Sequence, residues 1–229
     1  MYLHPMLSNI SQEDRLALVR ETEIRSYRRN EVVLQADDWT DRIYCVGSGL
    51  LRTVVSGGDE RDQVTTDFIR QDDFFLSPTL SQEKYQPGVM LVAALPSSVF
   101  LVPAAMLYRL CHKYPAITLE LLELMTRRAA LLRGQLRRIA SSSSEKVVTR
   151  VLHELTQLAP AGTHGYDKRI TQSIIASYSG LSREQVNKTI RNLESRGLIR
   201  KQDDGIEVPP SFQYTDFQEL MPHPAAHHQ

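Results

Sequence analysis

The sequence is poor in cysteine, has no long apolar run and carries no excess charge of either sign. Its two cysteines, Cys45 and Cys111, are far apart and outside any Cys-x-x-Cys or Cys/His cluster. This spacing fits neither a structural zinc site, an iron–sulfur cluster within one chain, nor a disulfide scaffold. No stretch of about 18 apolar residues is present, and the N-terminal residues do not resemble a secretory signal. We therefore expect a cytoplasmic protein with no metal, no cofactor and no membrane association.

The charge balance limits how the protein could contact nucleic acid. There are 27 basic and 27 acidic residues among 229, and the segment 141–210 holds ten Lys and Arg against eight acids. A general basic field is therefore absent, and any DNA binding must be local. The length suffices for two domains that each bury a core. An enzyme is not expected, because the sequence contains no G-x-S-x-G, no Gly-rich phosphate loop and no paired His motif.

The N-terminal part is predicted to be a short helix followed by a β-rich domain. Ser11 and Asp14 have the spacing of a helix cap. The apolar contacts of this helix are expected from Leu16, Leu18 and Val19. Short β-rich runs then alternate with turn residues as far as about residue 102, as in an all-β sandwich or barrel. We predict a compact β-roll, or jelly roll, within residues 1–114.

A long amphipathic helix is predicted after Pro115, a residue that helices tolerate at their first position. Apolar residues recur at intervals of three or four over roughly 25 residues, with a second apolar flank beside them. The first set is Ile117, Leu121, Met125, Ala129, Leu132, Leu136 and Ile139, and the flank is Leu122, Leu124 and Leu131. This surface exceeds what a single contact with the roll requires. We expect residues 115–140 to form a dimerisation helix, with a long core helix inside one subunit as the alternative.

The serine run 141–144 interrupts the apolar pattern and supplies cap residues for a further helix over 145–158. We place the hinge to a C-terminal domain, residues 141–210, at this run. Residues 160–168 are expected to form a loop. A flexible tail is expected over 211–229, because no periodicity follows Pro209-Pro210.

Residues 170–199 have the pattern of two helices joined by a tight turn. Gly180 tolerates a left-handed backbone, and Ser182 with Gln185 would form a capping box for the second helix. The inward positions are expected to be Ile174 and Ile175 in the first helix, and Val186, Ile190 and Leu193 in the second. The outer face of the second helix is then polar and consists of Arg183, Glu184, Asn187, Lys188 and Arg191. Such a face suits a recognition helix in the major groove, because Arg and Lys donate to guanine and Glu accepts from cytosine. An ordinary solvated helix face is the alternative.

The residues around these helices favour DNA binding. Gly197 marks the end of the second helix, and two short strands around Asp204-Gly205 predict a wing. Residues 170–208 resemble the winged helix-turn-helix of the bacterial cyclic-AMP receptor protein and fumarate-nitrate regulator (CRP/FNR) family. The resemblance is carried by Ser182-Arg183-Glu184-Gln185-Val186-Asn187-Lys188 and Leu193-Glu194-Ser195-Arg196-Gly197-Leu198-Ile199.

The resemblance implies roles for the polar residues of this surface. Arg183, Glu184 and Lys188 would contact bases, although Lys188 replaces the usual second arginine and lacks its bidentate fork. Phosphates would be held by Thr171, Gln172, Ser182 and Gln185. The candidate DNA-binding residues are therefore Thr171, Gln172, Ser182, Arg183, Glu184, Gln185, Asn187, Lys188 and Arg191. The implied partners are double-stranded DNA, a second copy of the chain bound through residues 115–139, and RNA polymerase.

The N-terminal part is similar to the sensor roll of the same family. The matching positions are Asn30-Glu31, 41–44, Ser48-Gly49 and 58–60. It departs from the members that bind cyclic nucleotides, because their ribose-binding Gly-Glu pair falls on Leu76-Ser77 and their phosphate-binding arginine falls near Pro87-Gly88. A buried phosphate without a counter-charge is disfavoured. We therefore expect an effector other than cyclic AMP.

Other side chains offer weaker ligand candidates. The basic residues of the long helix would pair with acids of the roll or receive a polyanionic effector such as a dinucleotide; they are Arg127, Arg128, Arg133, Arg137 and Arg138. Surface positions are expected for His4, His112, His153 and His164. Cys45 and Cys111 are expected to be buried as small hydrophobes.

The sequence thus predicts an α+β protein with a cyclic-nucleotide-binding-like β-roll, a long dimerisation helix and a C-terminal winged helix-turn-helix. Its expected function is sequence-specific transcription regulation as a homodimer on an inverted-repeat operator. The alternative is an effector-binding sensor or scaffold protein with the same roll and no DNA readout. Such a protein would keep the phosphate arginine and lack the reading helix.

Overall fold

The computed structural model describes residues 5–7, 9–56, 63–76, 82–141, 143–162 and 164–209. The chain divides into two compact units, Met1–Leu122 and Glu123–Gln229. The domain boundaries given above stay predictions. Several predicted features lie outside the described residues or side chains, namely His4, the turn at 58–60, Ser77, Leu136, Arg137, Arg138, Ile139 and the tail 211–229.

Antiparallel strands form the β-roll of the first unit. They are β1 (Glu23–Tyr27), β2 (Val32–Leu34), β3 (Arg42–Ser48), β4 (Leu50–Ser56), β5 (Gln63–Arg70), β6 (Phe74–Phe75), β7 (Met90–Ala93) and β8 (Ser97–Pro103). They pair in two four-stranded sheets, with the orders β1-β8-β3-β6 and β2-β7-β4-β5. Alternate side chains of both sheets enter a buried core that includes Tyr44, Leu51, Ile69, Leu91 and Leu101. This arrangement confirms the predicted roll.

Helix α1 (Gln12–Glu21) precedes these strands, and helix α2 (Ala104–Lys113) follows them. The predicted cap of α1 is confirmed, because the backbone N–H of Asp14 donates to Ser11 Oγ at 3.2 Å. The expected burial of Leu16 is wrong, since its side chain is 50% exposed while Leu18 is buried. Asp14 and Leu18 are one turn apart and share the face that is held against the unit, so Leu16 lies on the opposite side.

Asp14 also ties α1 to the end of α2. Its carboxylate accepts a hydrogen bond from the Tyr114 hydroxyl at 2.6 Å and pairs with Lys113 Nζ at 2.7 Å. These two donors hold the pKa of Asp14 far below its ordinary value, with Lys113 as the larger cause. The contact fixes α1 beside Tyr114, the residue that precedes the long helix.

The long helix α3 spans Pro115–Ser141, a length of 27 residues, which confirms the predicted helix. Ile117 and Leu121, the first two members of the predicted apolar stripe, are buried by the chain itself. In contrast, Leu119, Leu122 and Leu132 are 66%, 62% and 38% exposed. The apolar surface open to a partner therefore begins at Leu119 and Leu122, beside the predicted stripe. No helix of the described residues, α3 included, is long and apolar enough to cross a lipid bilayer.

The second unit contains the helices α4 (Ser144–Leu158), α5 (Gln172–Ser179) and α6 (Arg183–Ser195) with a small sheet. Its strands are β9 (Pro160–Ala161), β10 (Gly165–Asp167), β11 (Arg200–Lys201) and β12 (Gly205–Glu207), in the order β11-β12-β10-β9. The prediction of a loop over 160–168 is wrong, because β9 and β10 lie there. Tyr166 pairs with Ile206 and is fully buried. This long-range pairing outweighs a local Gly and Pro content that is typical of loops.

Candidate nucleic-acid interface

The first helix of the predicted helix-turn-helix is α5. The backbone N–H of Ile174 donates to Thr171 Oγ1 at 3.4 Å, so Thr171 caps the helix. At the other end Gly180 has φ +70°, a left-handed conformation that glycine adopts without a steric penalty. The chain then turns through a single residue, Leu181, into the cap of the next helix. The predicted turn is therefore confirmed.

A complete capping box begins α6, as the sequence predicts. The backbone N–H of Gln185 donates to Ser182 Oγ at 3.1 Å, and the N–H of Ser182 donates to Gln185 Oε1 at 3.0 Å. Both side chains therefore use an oxygen inside the box. The Ser182 hydroxyl hydrogen and the Gln185 amide nitrogen remain as donors that a phosphate oxygen could accept.

The outer face of α6 is polar and open. Val186, Ile190 and Leu193 are buried, so the orientation of the helix is the predicted one. The residues on the other side are exposed, with Asn187 half-buried; they are Arg183, Glu184, Asn187, Lys188 and Arg191. Within the described parts of the chain, none of these five side chains has a hydrogen bond or an ion pair. Their donors and acceptors are available to an external partner.

Three cations elsewhere in this unit are engaged by neighbouring acids. Arg169 pairs with Asp167 at 2.5 Å, Arg196 with Glu145 at 2.7 Å, and Lys201 with Glu194 at 2.9 Å. In contrast to these pairs, the cations on the outer face of α6 are open, so this face can attract an anion.

The wing follows α6 directly. Strands β11 and β12 pair antiparallel, with Lys201 opposite Ile206, and the backbone N–H of Gln202 donates to the carbonyl of Gly205 at 2.9 Å. The ammonium group of Lys168 donates to the carbonyl oxygen of Asp203 at the tip. The predicted wing is therefore confirmed, and its tip is held by a residue from the segment before α5.

Two family models match the chain. The model of the Crp-like helix-turn-helix domain matches residues 146–209, and the model of the cyclic nucleotide-binding domain matches residues 24–114. Together they cover more than half of the sequence and both of its units. The chain belongs to the CRP/FNR family. It is a DNA-binding transcription regulator of that type and not an enzyme.

Relatives of this CRP/FNR regulator span most of its length. The cAMP-activated global transcriptional regulator CRP of Pasteurella multocida (strain Pm70) is 24% identical over 178 residues, which are 77% of this chain and 85% of the relative. The structure of FixK2 from Bradyrhizobium japonicum has a TM-score of 0.72 at 19% identity, over 87% of this chain and 95% of that one. The c-di-GMP-responsive global regulator CLP of Xanthomonas campestris has a TM-score of 0.66 at 18% identity, over 86% and 99%. The two structures share the fold.

In the roll of this CRP/FNR regulator, the described residues just before β7, 82–89, include no arginine. Hydrogen bonds fix this segment. Tyr85 is buried, exchanges backbone hydrogen bonds with Thr40, and donates its hydroxyl to the carbonyl of Arg42 at 2.6 Å. The cation of this segment, Lys84, is exposed. The position predicted to lack a phosphate partner, Pro87-Gly88, ends the segment, where the Gly88 N–H donates to the Ala36 carbonyl at 3.0 Å.

The half-buried Arg52 of β4 is paired with Phe68 and Val92, which are both buried. It alternates with Leu51, whose side chain lies in the core, so it occupies the opposite face of the sheet. Its Nη1 donates to Thr65 Oγ1 at 2.9 Å, and burial lowers its pKa. Among the described residues its Nε is buried without a hydrogen-bond partner.

Burial affects both thiols, and two of the basic residues of α3 make local contacts. Burial raises the pKa of Cys45 to about 12, and it also raises the pKa of the half-buried Cys111, so neither thiol is a thiolate at neutral pH. Cys111 is less buried than expected. Arg127 pairs with Glu123 one turn earlier, and Arg133 Nε donates to the carbonyl of Ala129 at 3.2 Å. The described residues contain no cluster of three or more His, Cys, Asp or Glu that could hold a metal.

His153 is a buried residue of α4, so its expected surface position is wrong. Its side chain is 6% exposed, because it lies on the buried face of α4 with Leu152. Burial lowers the pKa of His153, since the charged form would lose its hydration. Sequence periodicity assigns no apolar role to histidine, which is why the sequence did not reveal this position.

We expect the stability of the second unit to fall as the pH drops below about 6.5, the unfolded pKa of histidine. The unfolded chain then binds a proton that folded His153 binds only at lower pH, so the stability is fully present above that range. Urea unfolding at pH 7.5 and 5.5 should show a smaller pH effect for His153→Leu than for the parent chain. His164→Gln, a change at an exposed histidine, is the control; an equal pH effect in both variants contradicts the assignment.

Proposed function

We propose that this CRP/FNR regulator acts as a homodimer that places the outer face of α6 in the major groove of an inverted-repeat operator. The observation that carries the proposal is the set of polar side chains on α6 that have no partner within the described chain. Arg183 and Lys188 would donate to guanine, and Glu184 would accept from cytosine. Phosphates and groove edges would be contacted by Thr171, Gln172, Ser182, Gln185, Asn187 and Arg191.

The dimer would form through α3. Leu119 and Leu122 are largely exposed and Leu132 is partly exposed, and apolar side chains repeated along one helix favour pairing with a second helix. The burial of Ile117 and Leu121 shows that the first turns of α3 pack within the subunit. We propose that the exposed leucines of the same helix pair with a second copy. A two-fold dimer would match an inverted repeat with half-sites about one turn apart. Because its proposed partner is chromosomal DNA, the protein would act in the cytoplasm. RNA polymerase would be a further partner.

Selection of bound fragments from random duplex DNA tests this function. The expected product is an inverted repeat whose half-site centres are about 10 base pairs, or one turn, apart. Recovery of unrelated fragments, or no binding at low salt, contradicts the proposal and favours a sensor or scaffold protein without DNA readout.

We further propose that cyclic AMP is not the effector. Pro87-Gly88 stands where a cyclic-nucleotide binder would carry its phosphate arginine. A cyclic phosphate in the roll would thus lack a charge-assisted partner. We expect operator affinity to change by less than about twofold on addition of millimolar cyclic AMP, because a ligand shifts an equilibrium only through differential affinity. A rise in the unfolding temperature with cyclic AMP would contradict this, since a ligand that binds the folded state stabilises it.

A further inference from the structure

A buried carboxylate lies beneath the helix-turn-helix. Glu154 of α4 is 1% exposed, and the side chains of its neighbours Leu152 and Leu155 are fully buried. Its Oε2 accepts a hydrogen bond from the hydroxyl of Tyr178 in α5 at 3.1 Å. Glu154 is not recognisable from the sequence, because an acid within an apolar helix face has no periodic signature.

The position of Tyr178 gives this bond its importance. Tyr178 lies in the last turn of α5, two residues before Gly180, and the turn at Gly180 leads directly into the cap of α6. The bond therefore joins α4 to the point at which the direction of α6 is set. At the start and middle of α6 the buried contacts come from Val186, Ile190 and Leu193, which are apolar and non-directional. The ion pair between Arg196 and Glu145 of α4 is exposed and lies at the other end of the helix.

The energetics of a buried acid argue against a purely stabilising role. Removing a carboxylate from water is costly, and replacing a buried polar pair by apolar residues of similar size is often neutral or stabilising. A hydrogen bond differs from apolar packing in fixing distance and angle. We propose that Glu154 is a positioning residue for DNA readout, which holds the end of α5 through Tyr178 and so fixes the orientation of α6. This inference rests on the proposed reading of bases by α6.

Two substitutions at one position separate positioning from stability. Glu154→Met keeps the side-chain length and removes the acceptor, whereas Glu154→Gln keeps an oxygen that can accept from Tyr178. The selected operator and a scrambled duplex serve as probes, and urea unfolding measures stability. We expect Glu154→Met to lower the operator-to-scrambled affinity ratio about tenfold, the loss of one well-placed base contact. The same variant leaves the Tyr178 hydroxyl without this acceptor, so a loss of stability is expected beside the change in ratio, and Glu154→Gln should retain the parent ratio.

The control is Thr149→Val, which removes a buried hydroxyl of α4 that does not contact α5 through a described hydrogen bond. Thr149 Oγ1 donates to the carbonyl of Glu145 within the same helix at 2.6 Å, so this change should alter stability and leave the affinity ratio unchanged. If Glu154→Met does not fold, Tyr178→Phe decides the matter, because it removes only the donor hydroxyl and should lower the ratio as well. A folded Glu154→Met or Tyr178→Phe variant with the parent ratio overturns the inference. If Arg183→Ala also leaves the ratio unchanged, the proposed function itself has failed.

Discussion

Replacing Arg183 by alanine is expected to remove sequence preference at one base pair of each half-site. The guanidinium of Arg183 is exposed at the first turn of α6 and has no partner within the described chain, so it can donate to both guanine acceptors. Losing such a bidentate contact costs about 1–3 kcal/mol of discrimination, roughly a tenfold to hundredfold change in relative affinity. Selection from random DNA should show equal base frequencies at that position, while the remaining positions keep their preference.

Arg169→Ala is the matched control for this experiment. Arg169 belongs to the same unit, but its guanidinium is engaged by Asp167, so its removal should leave base preferences unchanged. Unchanged selectivity of the Arg183→Ala variant would refute the assignment of α6 as the recognition helix. Glu184→Ala should act at a different base pair with a similar magnitude, since the carboxylate would accept from cytosine.

Replacing Leu122 by glutamate is expected to convert the dimer to a monomer. Leu122 is 62% exposed in α3, and a charge in a paired apolar seam must be desolvated without a partner. A monomer would bind a single half-site and lose the second contact, which contributes about a hundredfold or more to operator affinity. Sedimentation should show a halved mass, and the affinity for an isolated half-site should remain.

The control for the seam is Leu16→Glu in α1. Leu16 is exposed to a similar extent in the same unit but lies outside α3, so the dimer and its operator affinity should persist. A Leu122→Glu variant that remains dimeric would contradict a seam at this position. In that case the long helix serves the subunit alone, which is the alternative that the sequence left open.

Local chemistry explains why so much of the helix-turn-helix could be predicted. The Ser182–Gln185 capping box, the left-handed Gly180 and the burial of Val186, Ile190 and Leu193 depend on residues that are close in sequence, and the structure confirms each. The polar face of α6 follows from the same spacing. The wing was also predictable, because β11 and β12 are joined by only a short turn.

Features that depend on residues distant in the sequence could not be predicted. Strands β9 and β10 exist because Tyr166 meets Ile206 across the sheet, and no local pattern shows that pairing. The burial of His153 and Glu154 depends on what packs over α4. Leu16 was expected to make apolar contacts, but it lies on the side of α1 opposite Asp14 and Leu18, whose contacts with distant residues set the orientation of the helix.

The distribution of ion pairs in the second unit bears on how the protein would find its operator. Arg169, Arg196 and Lys201 pair with acids, so three of the ten lysines and arginines of residues 141–210 are less available to displace counterions from an arbitrary stretch of chromosome. A genome offers at least about 10⁶ competing sites, and weak adhesion to them leaves more free protein to search. Occupancy would then depend more on the fit of bases to α6, and would vary less with intracellular potassium than if all ten cations were open.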